Sequence, residues 1–431
     1  MRKAILSVLL LCAAVPVDAA REIRLWHGMS GVTGAELDRL VAKYNASQKD
    51  YRVVSFFQGP YDEVLADDIE VRKGTSRAPH IVQVNDAGTA DILRSGAAKP
   101  LWQLMHESGQ PLDAKYFRPV SAYFSDTEGR LLALPFTGAT PILYYNRDAF
   151  RQAALDPRTP PQTWYEMAKT LGALVEAGES CALTTAWPAW VLIENMSAWH
   201  NQRFATQGNG MAAHAAGAGA RLAFNTRLMV RWISTLASWQ KAGYFTYSGR
   251  EDEAEARFAA GECVMLTSSS AAYAELRRKA RFDLGVAQLP YYDDFDEAPQ
   301  NTLVGGSALW ALAGYPPVVN KGIASFFAFL SRPEVQAEWH QRTGDVPLTT
   351  TAYELTRKQG FYRSNPGHEV AVRQLLGKPT EDSAGIRLGG LRHIRGIIDE
   401  ELEAVWNGSK TPLDALNAAV QRGNVVLESA R

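Results

Sequence analysis

Cysteine is scarce in this 431-residue sequence, with three in all, and Cys12 lies in an N-terminal apolar run. Neither Cys181 nor Cys263 has a His or a second Cys at ligand spacing, so neither marks a metal site. An excess of one charge is lacking too: 45 basic residues face 46 acidic ones, for a net charge of −1. Without a basic patch there is no electrostatic footprint for nucleic acid or an anionic membrane surface, and a diffusing small molecule is the better-suited partner. Past the N-terminus no run of about eighteen apolar residues occurs, so no membrane-spanning helix is expected. No serine elbow, His-Glu-x-x-His pair or Walker loop is present, which removes the common signatures of exported hydrolases and nucleotide-driven enzymes. Internal repeats, low-complexity tracts and long charge runs are absent as well.

What is present begins with a secretory signal. Arg2 and Lys3 supply positive charge, residues 4–15 form a short apolar core, and Val17-Asp18-Ala19 offers small residues for cleavage. Residues 1–20 are therefore expected to be removed, leaving a soluble periplasmic chain that starts near Arg21. Cys12 lacks the small residues that a lipid-attachment site needs just before it. The roughly 410 residues that remain exceed what one core organises, so two domains are expected. An oxidising compartment permits a Cys181–Cys263 bridge, and two free buried thiols are equally compatible with the spacing.

Apolar runs at 22–26, 51–57 and 80–84 read as strands, with amphipathic helices at 35–46 and 61–73 between them. Such alternation means βαβ units and a largely parallel sheet covered on both faces, an α/β class. Pro135 and Pro141 bracket a short polar stretch that predicts a first crossing between lobes, and a second is expected near Leu289-Pro290. Thr163 and Glu166 form a capping box that starts a helix at Trp164. Leu228, Trp232, Leu236 and Trp239 mark another helix. The strand ending at Leu266 empties into Thr267-Ser-Ser-Ser270 at a helix start, where small hydroxyls suit an anion or a sugar hydroxyl. Gly305-Gly306 interrupts a strand pattern and lets backbone approach a ligand closely. Helices are expected at 323–330, from Pro333, from Leu391, and again from Thr411-Pro412.

Phe258 to Met265, Gly305-Gly306, Pro333 to Trp339 and Leu402 to Gly408 followed by Thr411-Pro412-Leu-Asp-Ala-Leu together resemble the extracellular solute-binding proteins (family 1) of carbohydrate and glycerol-phosphate ABC importers. Trp26-His27, Tyr144-Tyr-Asn146, Glu194-Asn195, Ser197-Ala-Trp199, Ala298-Pro-Gln-Asn301, Glu338-Trp-His-Gln341, Gln359-Gly-Phe-Tyr362 and Ile398-Asp-Glu-Glu-Leu402 are similar to the sn-glycerol-3-phosphate-binding branch of that family, along almost the whole mature chain. The resemblance implies a type II periplasmic-binding-protein fold, two α/β lobes joined by crossover segments with the ligand cleft between them. Lobe one is expected at 21–138 plus 290–332 and lobe two at 139–289 plus 333–431. It implies a monomer that hands its ligand to a heteromeric ABC permease and does no chemistry, with no cofactor and no metal. Carried over by position, the pocket falls on Tyr61, Asp86, Ala139, Trp164, Ser269, Gly306, Asp345 and Arg395. Asp86 stands where the branch has Glu, Ala139 where it has Ser, and Asp345 where it has Tyr.

A phosphate monoester needs several donors and a cation, and Ser269, Ser270, the N–H of Gly306 and the Arg395 guanidinium would supply them. Asp86 and Tyr61 would hold glycerol hydroxyls, and Trp164 would wall the carbon chain. Taken singly, each has a plainer reading: a serine run caps, a Trp at a helix start packs, and a surface Arg is solvated. Trp187, Trp190 and Trp199 are expected mostly in the core, with Trp187 and Trp190 able to wall the cleft; His27 could line it or serve the structure. Asp345 within about 4 Å of a phosphate would cost roughly 4 kcal/mol per charge pair. It must therefore turn away, pair with Arg395, or meet a less anionic ligand such as glycerophosphocholine. A sugar or oligosaccharide is the second reading, and an exported hydrolase the third.

Overall fold

The computed structural model describes residues 20–59, 78–112, 114–212, 217–377 and 379–429. The expected signal segment up to residue 19, the helix expected at 61–73 and the candidate ligand residue Tyr61 lie outside these stretches. In chain order the strands are β1 (Arg21–His27), β2 (Tyr51–Phe57), β3 (Ile81–Asn85), β4 (Ala98–Lys99), β5 (Leu134–Ala139), β6 (Pro141–Asn146), β7 (Leu183–Thr185), β8 (Phe245–Tyr247), β9 (Met265–Ser269), β10 (Leu284–Ala287) and β11 (Gly305–Leu312). They form two sheets. The first runs β2-β1-β3-β11-β4 with β5 also on β11, and the second runs β10-β6-β9-β7-β8.

In the first sheet β1 pairs in parallel with β2 and β3, while β11 returns from far along the chain to lie antiparallel on β3 and β5. Ile23 and Leu25 point into a core roofed by the helices Gly31–Ser47 and Pro317–Leu330. The buried face of Gly31–Ser47 carries Leu37, Leu40, Val41 and Tyr44, as the helical spacing predicts. In the second sheet the helices Trp164–Glu176 and Arg227–Lys241 cover one face. The Thr163 hydroxyl accepts from the Glu166 amide at 3.1 Å and Glu166 answers the Thr163 amide at 3.2 Å, so the predicted capping box is made.

The chain crosses between sheets at Thr140, where β5 of the first gives way to β6 of the second. The return lies later than Leu289-Pro290. Tyr291 accepts from the Trp164 amide, Gln300 donates to the Trp199 carbonyl and Leu303 donates to the Asn195 side chain, all partners in the second lobe. Only at Gly305 does the chain join the first sheet. The helix Pro333–Thr343, expected with the second lobe, packs on the first: the Trp339 ring lies tilted against Phe136 with centroids 4.5 Å apart, and Glu338 pairs with Arg39 and Lys43. The reason is its apolar stripe of Val335 and Trp339, which completes the core under β1 and β5. At the crossings Gln374 donates to the Thr140 and Thr302 hydroxyls and to the Pro141 carbonyl, tying both strands to the helix Pro366–Leu375.

Cys181 and Cys263 are joined by a disulfide, which settles the alternative the spacing left open. Their neighbours already pair, Val264 donating to the Cys181 carbonyl, so the bridge staples adjacent parallel strands. No helix among the described residues is long and apolar enough to cross a membrane.

Candidate functional site

Ligands of open α/β sheets sit beyond the carboxyl ends of the strands. In the first sheet those ends include His27, Phe57, Asn85 and Ala139; in the second, Thr185, Tyr247 and Ser269. Most of the expected site residues lie on or beside them, and backbone pairing brings several together. Pro141 pairs with Ser269, Ala139 with Gly305, Gly138 with Gly306, and Asn85 with Ser307. Ser269, Ala139, Gly306 and Asp86 thus follow one another along a continuous seam where the lobes meet.

Asp86 opens a short 3-10 turn after β3, where the Asn85 side chain caps Gly88 at 2.9 Å and the Tyr123 hydroxyl holds the Asp86 carbonyl at 2.6 Å. Arg395 comes from the opposite lobe, on the helix Leu391–Trp406. Its Nη2 donates to Asp86 Oδ2 at 2.6 Å and to Glu194 Oε2 at 2.8 Å, and its Nε donates to Glu194 Oε1 at 2.7 Å. One cation therefore sits between two carboxylates, and one of those contacts spans the two lobes. The neighbouring negative charges hold the Arg395 guanidinium firmly protonated against the opposing effect of its burial. Glu194 is only 1% exposed. Burial pushes its carboxyl up and Arg395 pulls it down.

Glu194 lies in a π-helical turn, Ala189–Asn195, a wide and uncommon turn that is frequent at functional sites. The turn's first amide, of Ala189, donates to Asp399, one turn beyond Arg395, and its last side chain, Asn195, bonds the Trp190 carbonyl and the Leu303 amide. Trp190 lies close enough to Gly305 that a β-carbon there would come within 2.7 Å of its ring. Gly306 has φ of 127°, and a β-carbon would meet the Thr137 carbonyl at 2.3 Å, so both glycines are required by close approach. Trp187 takes a φ of 52°, unusual for so large a residue, with its amide held by the Glu251 carbonyl.

Three of the expected site residues are held by neighbours within the fold. Trp164 does not wall the seam: it is 5% exposed, its ring is 4.2 Å from Trp232, and with Trp239 it forms the core of the second lobe. Ser270 is buried at the crossing, where its hydroxyl accepts from the Thr140 amide at 3.1 Å and its amide donates to the Thr140 carbonyl, whereas Ser269 is half-exposed and caps Ala271. Asp345 does not pair with Arg395. Its Oδ2 accepts from the Trp339 indole at 2.7 Å, and the Gly138 backbone also favours its charged form. Burial nonetheless lifts that carboxyl to about 7. Trp199 is core, as expected, and His27 is buried against Phe57, where burial lowers its basicity.

The raised Asp345 carboxyl makes a stability prediction. Between about pH 4 and 7 the folded chain holds a proton that the unfolded chain has released, so wild-type stability falls as pH rises through that window. Asp345→Asn removes this loss. Its melting temperature, relative to wild type, is expected to be higher at pH 8 than at pH 4.5, the difference corresponding to an upper bound of the order of 4 kcal/mol. A pH-independent difference would show that Asp345 is ionised at the same pH folded and unfolded.

Two facing lobes, crossover segments and a polar seam fed by both halves form the architecture of a ligand-capturing protein. The chain belongs to the bacterial extracellular solute-binding proteins, whose family profile matches residues 39–369, and it is accordingly the substrate-binding component of an ABC importer. It is 45% identical over 412 residues to the sn-glycerol-3-phosphate-binding periplasmic protein UgpB of Yersinia pseudotuberculosis serotype I, covering 95% of this chain and 93% of that protein. It is 44% identical over 413 residues to the protein of the same name from Escherichia coli O1:K1 / APEC, covering 95% and 93%. Among solved structures, UgpB from Mycobacterium tuberculosis in complex with glycerophosphocholine superposes with a TM-score of 0.79 at 23% identity, over 95% of this chain and 99% of that one. The cyclic alpha-maltosyl-1,6-maltose binding protein from Arthrobacter globiformis gives 0.77 at 19% identity, over 95% and 100%.

Proposed function

We propose that this chain captures sn-glycerol 3-phosphate or a glycerophosphodiester such as glycerophosphocholine in the periplasm. It passes the ligand, as a monomer, to a heteromeric ABC permease in the inner membrane. The observation that carries the reading is Arg395, a guanidinium set at the seam between lobes and joined to Asp86 of the facing lobe. A phosphate oxygen gains a charge-assisted hydrogen bond from such a group, whereas a neutral sugar hydroxyl gains only an ordinary one. The relatives named above are sn-glycerol-3-phosphate-binding periplasmic proteins by name, and this chain aligns with 93% of each of them. In this reading Ser269 and the Gly306 backbone supply neutral donors, Ala139 leaves room between them, and Asp86 and Tyr61 take hydroxyl groups. Trp190 walls the carbon chain in the place first assigned to Trp164. Asp345, bonded to Trp339, is no obstacle to the phosphate.

The test is a melting experiment on the chain from Arg21 with glycerol 3-phosphate, glycerophosphocholine and maltose. A ligand at a hundred times its Kd stabilises by about 2.7 kcal/mol. At least one phosphate compound is expected to raise the unfolding temperature and to be recovered unchanged. A shift with maltose alone would replace the phosphate reading by the oligosaccharide one, and consumption of the ligand would contradict a purely binding role.

A further inference from the structure

Glu194 has no part in the pocket that the family resemblance supplies, yet it makes more of the contacts to Arg395 than Asp86 does. Two parallel N–H···O bonds, from Nε and Nη2, lock the plane of the guanidinium. Three bonds in all engage those two nitrogens, and no bond to Nη1 is formed among the described residues. The carboxylate itself is set by the π-helical turn, pinned at its start by Asp399 and at its end by Asn195, whose amide also reaches the Trp190 carbonyl. A long flexible side chain gains directional specificity only when such a buried shell fixes it.

We infer that Glu194 is a positioning residue for ligand binding: its bidentate hold fixes the Arg395 guanidinium so that the Nη1 edge is presented to the anion. The proposal deepens the phosphate reading and rests on it for the ligand class, but the orientation of Arg395 is measurable without any ligand. If Glu194 merely neutralised Arg395, removing its charge would strengthen anion binding; if it positions Arg395, the same change weakens it.

The first measurement is nitrogen-15 NMR of arginine Nε–H groups in the ligand-free protein, with the Arg395 signal assigned by its loss in Arg395→Lys. A slowly exchanging Arg395 signal is expected in wild type, and a rapidly exchanging one in Glu194→Gln. A labile signal in wild type overturns the proposal, and this arm decides even if the Gln variant does not fold. The second is titration calorimetry with glycerol 3-phosphate and glycerophosphocholine on wild type, Glu194→Gln, Arg395→Ala and the double variant. Glu194→Gln is expected to weaken binding by about tenfold or more, and to have no further effect once Arg395 is Ala. Unchanged or tighter binding in Glu194→Gln, or fully additive losses, would overturn it. Failure of wild type to bind either compound would instead strike at the ligand class, leaving the NMR result to judge the positioning.

Discussion

Arg395→Ala is expected to abolish the ligand-induced thermal shift and to weaken phosphate-ligand binding by about a hundredfold or more. Truncating one partner of a desolvated, hydrogen-bonded charge pair costs at least about 2–5 kcal/mol, and every 1.4 kcal/mol is tenfold in affinity. The same substitution leaves Glu194 buried without its cation, which costs about 3–5 kcal/mol of folding stability at neutral pH. The sign of its pH dependence follows from the direction in which burial moves this carboxyl. With Arg395 gone, the folded pKa rises further above the unfolded one, so stability is lost as pH rises and regained as Glu194 takes up a proton. The variant's deficit should therefore shrink toward pH 5. Calorimetry at pH 5 and 8 on the ligand-free variant checks the second effect, and wild-type affinity at pH 7 would remove Arg395 from the site.

Replacing both Cys181 and Cys263 by Ser should lower stability by about 4–5 kcal/mol if the bridge acts by constraining the unfolded chain, since the sulfurs close a loop with a sequence separation of 82. The expected signature is selective. Backbone pairing between β7 and β9 survives without the sulfurs, with Leu183 level with Met265 and Thr185 with Thr267. Ligand affinity should thus stay within a factor of about two while the denaturation midpoint falls, and a thiol reductant should reproduce the fall in wild type. An unmoved midpoint would mean that the unfolded chain gains nothing from being cut loose.

Features set by neighbours in the sequence were legible without coordinates. The Thr163–Glu166 box, the strands β1, β2 and β3 and the crossing beside Pro141 each depend on residues within a few positions and appear close to their expected places, while the helix expected between β2 and β3 lies outside the described residues. Features set by distant partners were not. Trp164 has the chemistry of a cleft wall, and only the approach of Trp232 and Trp239 from another helix turns it into core. Glu194 carries no mark of its role in a run of apolar residues, because its partner lies 201 positions away. The π-turn around it has no sequence period of its own. The helices Thr350–Lys358 and Pro366–Leu375 have no strong sequence signal of their own, and nothing local to Asp345 in the sequence tells that the Trp339 indole engages it.

The knot at Gln374 bears on how this architecture can be inherited. Its amide joins Thr140 and Thr302, 234 and 72 positions away, to a helix that follows both. Neither half of the protein is thus a module that recombination could exchange alone. A chimera that took one lobe from a relative would need all three segments from the same parent, or it would leave polar groups stranded where the two sheets are joined.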